Sequence, residues 1–210
     1  MMRENNNFEE ILTGRRSVRV YDENVKISKQ EMKQILEETV LAPSSVNMQP
    51  WRFVVVESDE AKKKLRPLIR FNTRQNDTSA AMILIFGDLE CYAYGEEIYN
   101  QAFQAGKMPE QIKNEQLETI IPLYESLNKQ EMGRIVTIDG SLAAMQLMLV
   151  ARSYGYDTNP IGGFEQDQLA EAFGMDKERY LPVMILSIGK TKEPGFESVR
   201  LPVDKIAEWK

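Results

Sequence analysis

Pro43-Ser44-Ser45-Val46-Asn47-Met48-Gln49-Pro50-Trp51 separates an amphipathic segment from the apolar run Phe53-Val54-Val55-Val56. Prolines at both ends hold the flanking backbone out of the helical region, and the small polar side chains between them make a turn dense in hydrogen-bonding groups. Upstream, Ser28-Lys29-Gln30-Glu31 reads as a capping box, and Met32, Ile35, Leu36, Val40 and Leu41 recur on one face, which predicts a helix ending near Ala42. Downstream, Trp51 to Val56 has the short length and β-branched, aromatic composition of a buried strand. The loop therefore joins a helix to a strand, and its polar density asks for something to hold.

Two further apolar runs predict strands, Ala80 to Phe86 before Gly87-Asp88, and Tyr180 to Gly189. Residues 8–14 pattern a short helix closed by Gly14, and residues 59–70 another with Leu65 and Leu68 inward. Phe71 to Asn76 reads as a polar exit from it. Ile135 to Tyr154 is the strongest helix, apolar on nearly every face and capped by Gly155, so burial on all sides is expected. Gly140, Ser141, Ala143 and Ala144 would admit a second copy of the chain at close range. Between these elements, residues 92–131 scatter Tyr92, Tyr94, Tyr99, Phe103 and Tyr124 among charges, with prolines at 109 and 122. This stretch predicts one or two short mobile helices, either a lid whose rings stack on a planar substrate or an excursion packed on the body or on a partner.

Asn159-Pro160-Ile161-Gly162-Gly163-Phe164 is a second unusual loop, where paired glycines permit positive φ and let backbone N–H groups approach a ligand. The plain alternative is a turn before the helix that Leu169, Ala172 and Phe173 pattern. Residues 190–210 read as an extended arm whose Val199, Leu201, Val203, Ile206 and Trp209 suit apolar surface, including that of another subunit. Without repeats, linkers or a regular βαβ series, residues 1–210 form one domain of α+β class.

Composition narrows the chemistry. The net charge of −6 argues against general affinity for nucleic acid or anionic membrane. The N-terminus lacks the apolar region of a signal peptide and no run approaches a membrane span, so the chain reads as cytoplasmic. A single Cys91 forbids an internal disulfide or a multi-cysteine zinc site. The absence of histidine removes Ser-His-Asp and Cys-His nucleophiles, His-based zinc sites and the usual proton shuttle. An enzyme of this composition relies on carboxylates, lysines, an oxygen-bound metal or a borrowed cofactor, and the cofactor is the leading option. Arg15-Arg16-Ser17-Val18-Arg19 has the forked donors and hydroxyl of a phosphate site. Taken alone, so short a motif favours the bland reading, a solvated basic turn paired with Asp22 and Glu23. No GxGxxG supports a Rossmann nucleotide site.

Taken together, Arg15-Arg16-Ser17-Val18-Arg19, the Pro43 to Trp51 loop, Pro160-Ile161-Gly162-Gly163-Phe164 and Val199-Arg200-Leu201-Pro202 stand in an order and spacing that resembles the nitroreductase family of FMN-dependent, NAD(P)H-using reductases. The resemblance spans nearly the whole chain. It implies a nitroreductase-like fold with a central, mostly antiparallel sheet flanked by helices. It also implies an intertwined homodimer with a long buried interface helix, an extended C-terminal arm and FMN at the interface. By position, Arg15, Ser17 and Arg200 would hold the FMN phosphate, with Arg16 contributing mainly backbone. Arg19, Asn72 and Gln75 would face the pyrimidine end of the flavin. Pro43, Ser44, Ser45 and Asn47 would come from the partner subunit, and Pro160, Ile161, Gly162 and Gly163 would lie along the ring with a glycine N–H toward N5.

The implied reaction is ping-pong transfer of hydride from NADH or NADPH through flavin N5 to nitroaromatics, quinones or related planar acceptors, with no catalytic side chain and no metal. Two alternatives stand beside it. One is dehalogenation or flavin fragmentation on the same fold, for which Glu96, Tyr99 and Lys107 would clamp an amino-acid zwitterion. The other is a flavin-storage protein without turnover. The chain departs from other members at Gln75 and Ser198, where some carry basic residues, and at Gly162, where some carry glutamate.

Overall fold

The computed structural model describes residues 3–210. In chain order the strands are β1 (Val20–Tyr21), β2 (Trp51–Val56), β3 (Ala81–Asp88), β4 (Asp157–Ile161), β5 (Tyr180–Gly189) and β6 (Thr191–Glu193). The helices are α1 (Phe8–Gly14), α2 (Lys29–Thr39), α3 (Asp59–Leu65), α4 (Thr73–Thr78), α5 (Gly95–Gln104), α6 (Glu110–Ser126), α7 (Lys129–Ser153) and α8 (Gln166–Ala172). Four strands form the main sheet in the order β2-β3-β5-β4, antiparallel at every pairing. β1 and β6 make a small antiparallel ladder, which the sequence reading did not anticipate.

β3 is buried along its whole length because helices cover both faces of the sheet. On one face Met32 and Ile35 of α2 and Leu147 and Ala151 of α7 pack on Ile83, Ile85 and Leu186. On the other, Leu65, Phe164 and Leu169 pack on Met82, Leu84 and Phe86. Burying a side chain of this size stabilises by roughly 1.5–3 kcal/mol, so the two layers account for much of the fold's cohesion.

α7 begins at Lys129 rather than Ile135, because Asn128 and Glu131 close a reciprocal capping box ahead of the apolar stretch. Its burial is one-sided within the chain: Val136, Ala143, Ala144 and Leu147 face inward, whereas Ile138, Leu142 and Met145 are exposed. α7 is long and apolar enough to cross a membrane by length and composition alone, yet its inward residues belong to the protein core. The box expected at Ser28 forms only in part. Ser28 accepts the Glu31 N–H, while the Glu31 carboxylate accepts the Tyr156 hydroxyl at 2.9 Å. α2 also stops at Thr39, short of Ala42.

Three readings are corrected by tertiary contacts. Phe71 to Asn76 is solvated only in part: Phe71 and Arg74 are exposed, but α4 starts at Thr73, and Gln75 and Asn76 are buried. Asn159 to Ile161 is strand rather than loop, with Pro160 tolerated because β4 lies at the edge of the main sheet. Within residues 92–131, Pro122 sits inside α6 without ending it. Tyr99 and Tyr124 are buried with Met48, Cys91, Met132 and Val136, so those two rings are not free to stack on a substrate.

Candidate functional site

Two of the four motifs meet at β4, the Arg15 to Arg19 segment and Pro160 to Phe164. Ser17 forms a parallel bridge with Thr158, and the Val18 N–H donates to the Thr158 carbonyl at 3.1 Å. Behind this segment the buried Tyr21 hydroxyl donates to the Val18 carbonyl at 2.8 Å and lies 2.7 Å from Ser187 Oγ. Burial drives the Tyr21 phenol far above its ordinary range, so it remains neutral. The Arg15 to Arg19 segment is thereby pinned to the sheet. From the glycine side, Asn72 Nδ2 donates to the Gly163 carbonyl at 3.3 Å and to the Ile69 carbonyl at 3.1 Å. The Gln75 amide donates to Asn72 Oδ1 at 3.1 Å, which fixes the orientation of the Asn72 amide.

The start of the C-terminal arm crosses the arginine segment at Gly195. A Cβ there would lie 2.6 Å from Arg16 Cβ and 2.9 Å from the Ser17 carbonyl oxygen. Gly195→Ala is therefore expected to cost about 1–3 kcal/mol of arm docking by overpacking. Faster amide exchange over residues 194–200 would display the loss, and unchanged exchange would contradict the crossing. Next to the glycine, Arg19 stacks on Phe196 with its guanidinium carbon 5.1 Å from the ring centre. Ser17, Arg19, Arg74, Glu193 and Phe196 line a cavity of about 140 Å³ there.

The pairing expected on the bland reading does not form. Asp22 caps the Asn24 N–H at 3.0 Å, and among the described residues Arg15, Arg16, Arg19 and Arg200 make no ion pair. Arg16 turns back to the Thr13 and Arg15 carbonyls at 2.7 and 2.9 Å, in keeping with a local role. In a chain of net charge −6, arginines without carboxylate partners beside a serine are the donor set a phosphate requires. Arg200 is not brought against Arg15; its guanidinium lies on Ser198 Oγ at 2.8 Å and the Val199 carbonyl at 2.9 Å.

The glycines act differently from expectation. Neither Gly162 nor Gly163 adopts positive φ, which among the glycines occurs at Gly106, Gly155 and Gly174. A Cβ at Gly162 would meet nothing within 4 Å, so the end of β4 is bare. Asn72 and Gln75 spend their amides on one another and on the Gly163 peptide. Sequence reasoning also passed over Phe71, whose ring is 98% exposed beside Asn72 and next to Arg70, itself at φ 51°. An aromatic within a polar run was the available signal.

The Pro43 to Trp51 loop stands apart. Val46, Asn47 and Gln49 adopt φ of 45°, 60° and 47°. Each non-glycine residue held there costs about 1–3 kcal/mol, and a β-branched Val46 is the least expected of them. The Asp139 carboxylate of α7 accepts the Ser45 N–H at 3.0 Å, and the Tyr99 hydroxyl of α5 donates to the Val46 carbonyl at 3.0 Å. Arg52 donates to the Gln49 carbonyl at 2.9 Å, and Ser44 Oγ accepts the Gln49 N–H at 3.0 Å. Among the described residues, none of the loop's hydrogen bonds goes to the other three motifs. Pro43, Ser45, Val46 and Asn47 face outward.

Burial pushes the Asp139 carboxyl above its usual range, with the Ser45 N–H opposing in part. The folded chain thus holds this proton more tightly than the unfolded one. Its contribution to stability falls as pH rises from the ordinary carboxylate range through the raised folded value, then stays level. Asp139→Asn is expected to gain thermal stability relative to wild type across that window and to match it in acid. Parallel stability profiles would contradict the assignment.

A model of the Nitroreductase family matches residues 12–190, from α1 to the end of β5. The chain belongs to the nitroreductase family. Within the family it is 55% identical to YdgI of Bacillus subtilis, named as an NAD(P)H nitroreductase, over 205 residues covering 98% of each chain. It is 36% identical over 197 residues to the CLA biosynthesis enone reductase of Lactiplantibacillus plantarum, covering 93% of this chain and 91% of that one. A crystal structure from Exiguobacterium sibiricum, described as a nitroreductase in complex with FMN, superposes with a TM-score of 0.96 at 54% identity and 100% coverage of both chains.

Proposed function

We propose that this nitroreductase-family protein binds FMN and uses NADH or NADPH in a ping-pong cycle to reduce a small planar acceptor, a nitroaromatic or quinone. The observation that carries this reading is the meeting of carboxylate-free Arg15 and Arg19, Ser17 and the bare end of β4 at one edge of the sheet. Arg15 and Ser17 would hold the phosphate, and Arg200, which within the single chain lies on its own arm, would join them. Pro160 to Gly163 would lie along the ring, with the Gly163 peptide fixed by the Asn72 amide. FMN, when bound, supplies hydride transfer at N5, so a chain without histidine loses nothing.

The working unit is a homodimer in the cytoplasm. Three features support the dimer: the exposed stripe Ile138, Leu142 and Met145 on α7, the outward face of the serine loop, and an arm whose Val199, Leu201 and Trp209 are uncovered within the chain. A groove of about 520 Å³ between α2 and the edge strand β2, lined by Met32, Leu36, Val40 and Val55, matches such an arm in character. The serine loop then completes the flavin site of the second copy.

A second reading, reduction of an activated carbon–carbon double bond, is favoured by the enone reductase relative. The zwitterion clamp of a dehalogenase loses one of its members, because Tyr99 is buried and its hydroxyl is bound to Val46. To test the acceptor, photoreduced FMN-loaded protein is mixed anaerobically with a nitroaromatic, a quinone and an enone. Rapid reoxidation by the first two supports the main reading, and reoxidation by the enone alone supports the second. Persistence of the reduced flavin with all three would contradict both and favour storage.

A further inference from the structure

We propose that Asp139 and Tyr99 are positioning residues that hold the Ser44 to Gln49 loop in its strained, flavin-receiving shape; this rests on the reading that Ser44, Ser45 and Asn47 contact FMN. Left-handed conformations at Val46, Asn47 and Gln49 do not persist unless the surroundings over-determine them. Within the loop the Asn47 and Met48 N–H groups donate to the Ser44 and Ser45 carbonyls, the Gln49 N–H to Ser44 Oγ and the Gln49 amide to Asn47 Oδ1, and none of these bonds ties the turn to the body of the protein. The rest comes from outside, and two of the struts lie behind the loop. Asp139 is 3% exposed and accepts the Ser45 N–H, while the equally buried Tyr99 donates to the next carbonyl along, that of Val46.

The two bonds clamp consecutive residues at the tightest part of the turn. Met48 adds a buried anchor between α5 and α6, in one apolar cluster with Tyr99, Tyr124 and Val136. Among the described residues Asp139 has no ion-pair partner, so its burial is offset by this backbone bond rather than by a counter-charge. The excursion of residues 92–131 thereby acquires a role apart from that of a lid. Its α5 supplies one strut and α7 supplies the other, and neither side chain points to the open face of the loop.

FMN titration of apoprotein, followed by flavin fluorescence and visible circular dichroism, tests this without turnover. Tyr99→Phe and Asp139→Ala are each expected to weaken FMN binding about tenfold and to alter the dichroism of what remains bound. Asp139→Asn keeps an oxygen that accepts the Ser45 N–H and is expected to stay within about twofold of wild type in affinity and match it in dichroism. A role confined to general stability would not be rescued in this way. Wild-type affinity and dichroism in both Tyr99→Phe and Asp139→Ala would overturn the inference, as would Asp139→Asn binding as weakly as Asp139→Ala. If Asp139→Ala does not fold, Tyr99→Phe decides: tenfold weakening supports the inference and wild-type binding overturns it. A wild-type protein that takes up no FMN would instead overturn the site reading beneath, a result distinct from binding that ignores the struts.

Discussion

Replacing Arg15 by alanine is expected to weaken FMN binding by roughly 10- to 100-fold, the loss that follows from removing a charge-assisted donor pair. Arg15 is the C-terminal cap of α1, so the helix presents carbonyls rather than N–H groups toward this segment. The C-terminal end of a helix carries negative partial charge and gives an anion no help. The positive charge must then come from guanidinium groups. Because Arg15 has no carboxylate partner among the described residues, its removal breaks no ion pair, and the apoprotein should unfold at an unchanged temperature. Arg15→Lys, which keeps charge and loses the fork, should fall between. Flavin occupancy that survives dialysis in the alanine variant would count against the phosphate assignment.

Asp88→Ala should produce the largest loss of stability, about 3 kcal/mol, the lower end of what breaking a buried ion pair costs. Asp88 is fully buried at the end of β3 and accepts Arg52 at 2.8 Å, Arg179 at 2.8 and 3.0 Å, and the Glu90 N–H at 3.0 Å. Both arginines keep partial access to water, which places the estimate at the lower end. Arg52 also reaches the Gln49 carbonyl, so the loss should pass to the serine loop and lower FMN affinity as well. Urea unfolding followed by tryptophan fluorescence measures the effect. A change below about 1 kcal/mol would show that solvent replaces the pair.

The strands β2, β3 and β5 were legible because runs of β-branched and aromatic residues need no partner to be recognised. β4 was not: Asn159 and Pro160 interrupt the pattern, and the segment is a strand because β5 pairs with it, Thr158 opposite Ile188. α4 was hidden for a related reason. Asn76 is buried because its amide donates to the Lys62 carbonyl, and Lys62 in turn reaches the Ser79 carbonyl. Such a cluster of buried polar side chains looks like a solvated loop in sequence. For the arginine cluster, the motif was visible but the deciding property, absence of a carboxylate partner, exists only in the folded chain. Asp139 left a signal that went unused: it is the sole acidic residue between Ile135 and Tyr154. A lone carboxylate in so apolar a helix calls for a donor, and the Ser45 N–H is that donor.

The most direct test of the central claim is anaerobic addition of NADH, and separately NADPH, to purified protein supplied with FMN, with the visible flavin band as the readout. The account predicts stoichiometric FMN and rapid bleaching by at least one nucleotide. Protein that takes up no FMN, or whose bound FMN keeps its absorbance with both nucleotides, would contradict it.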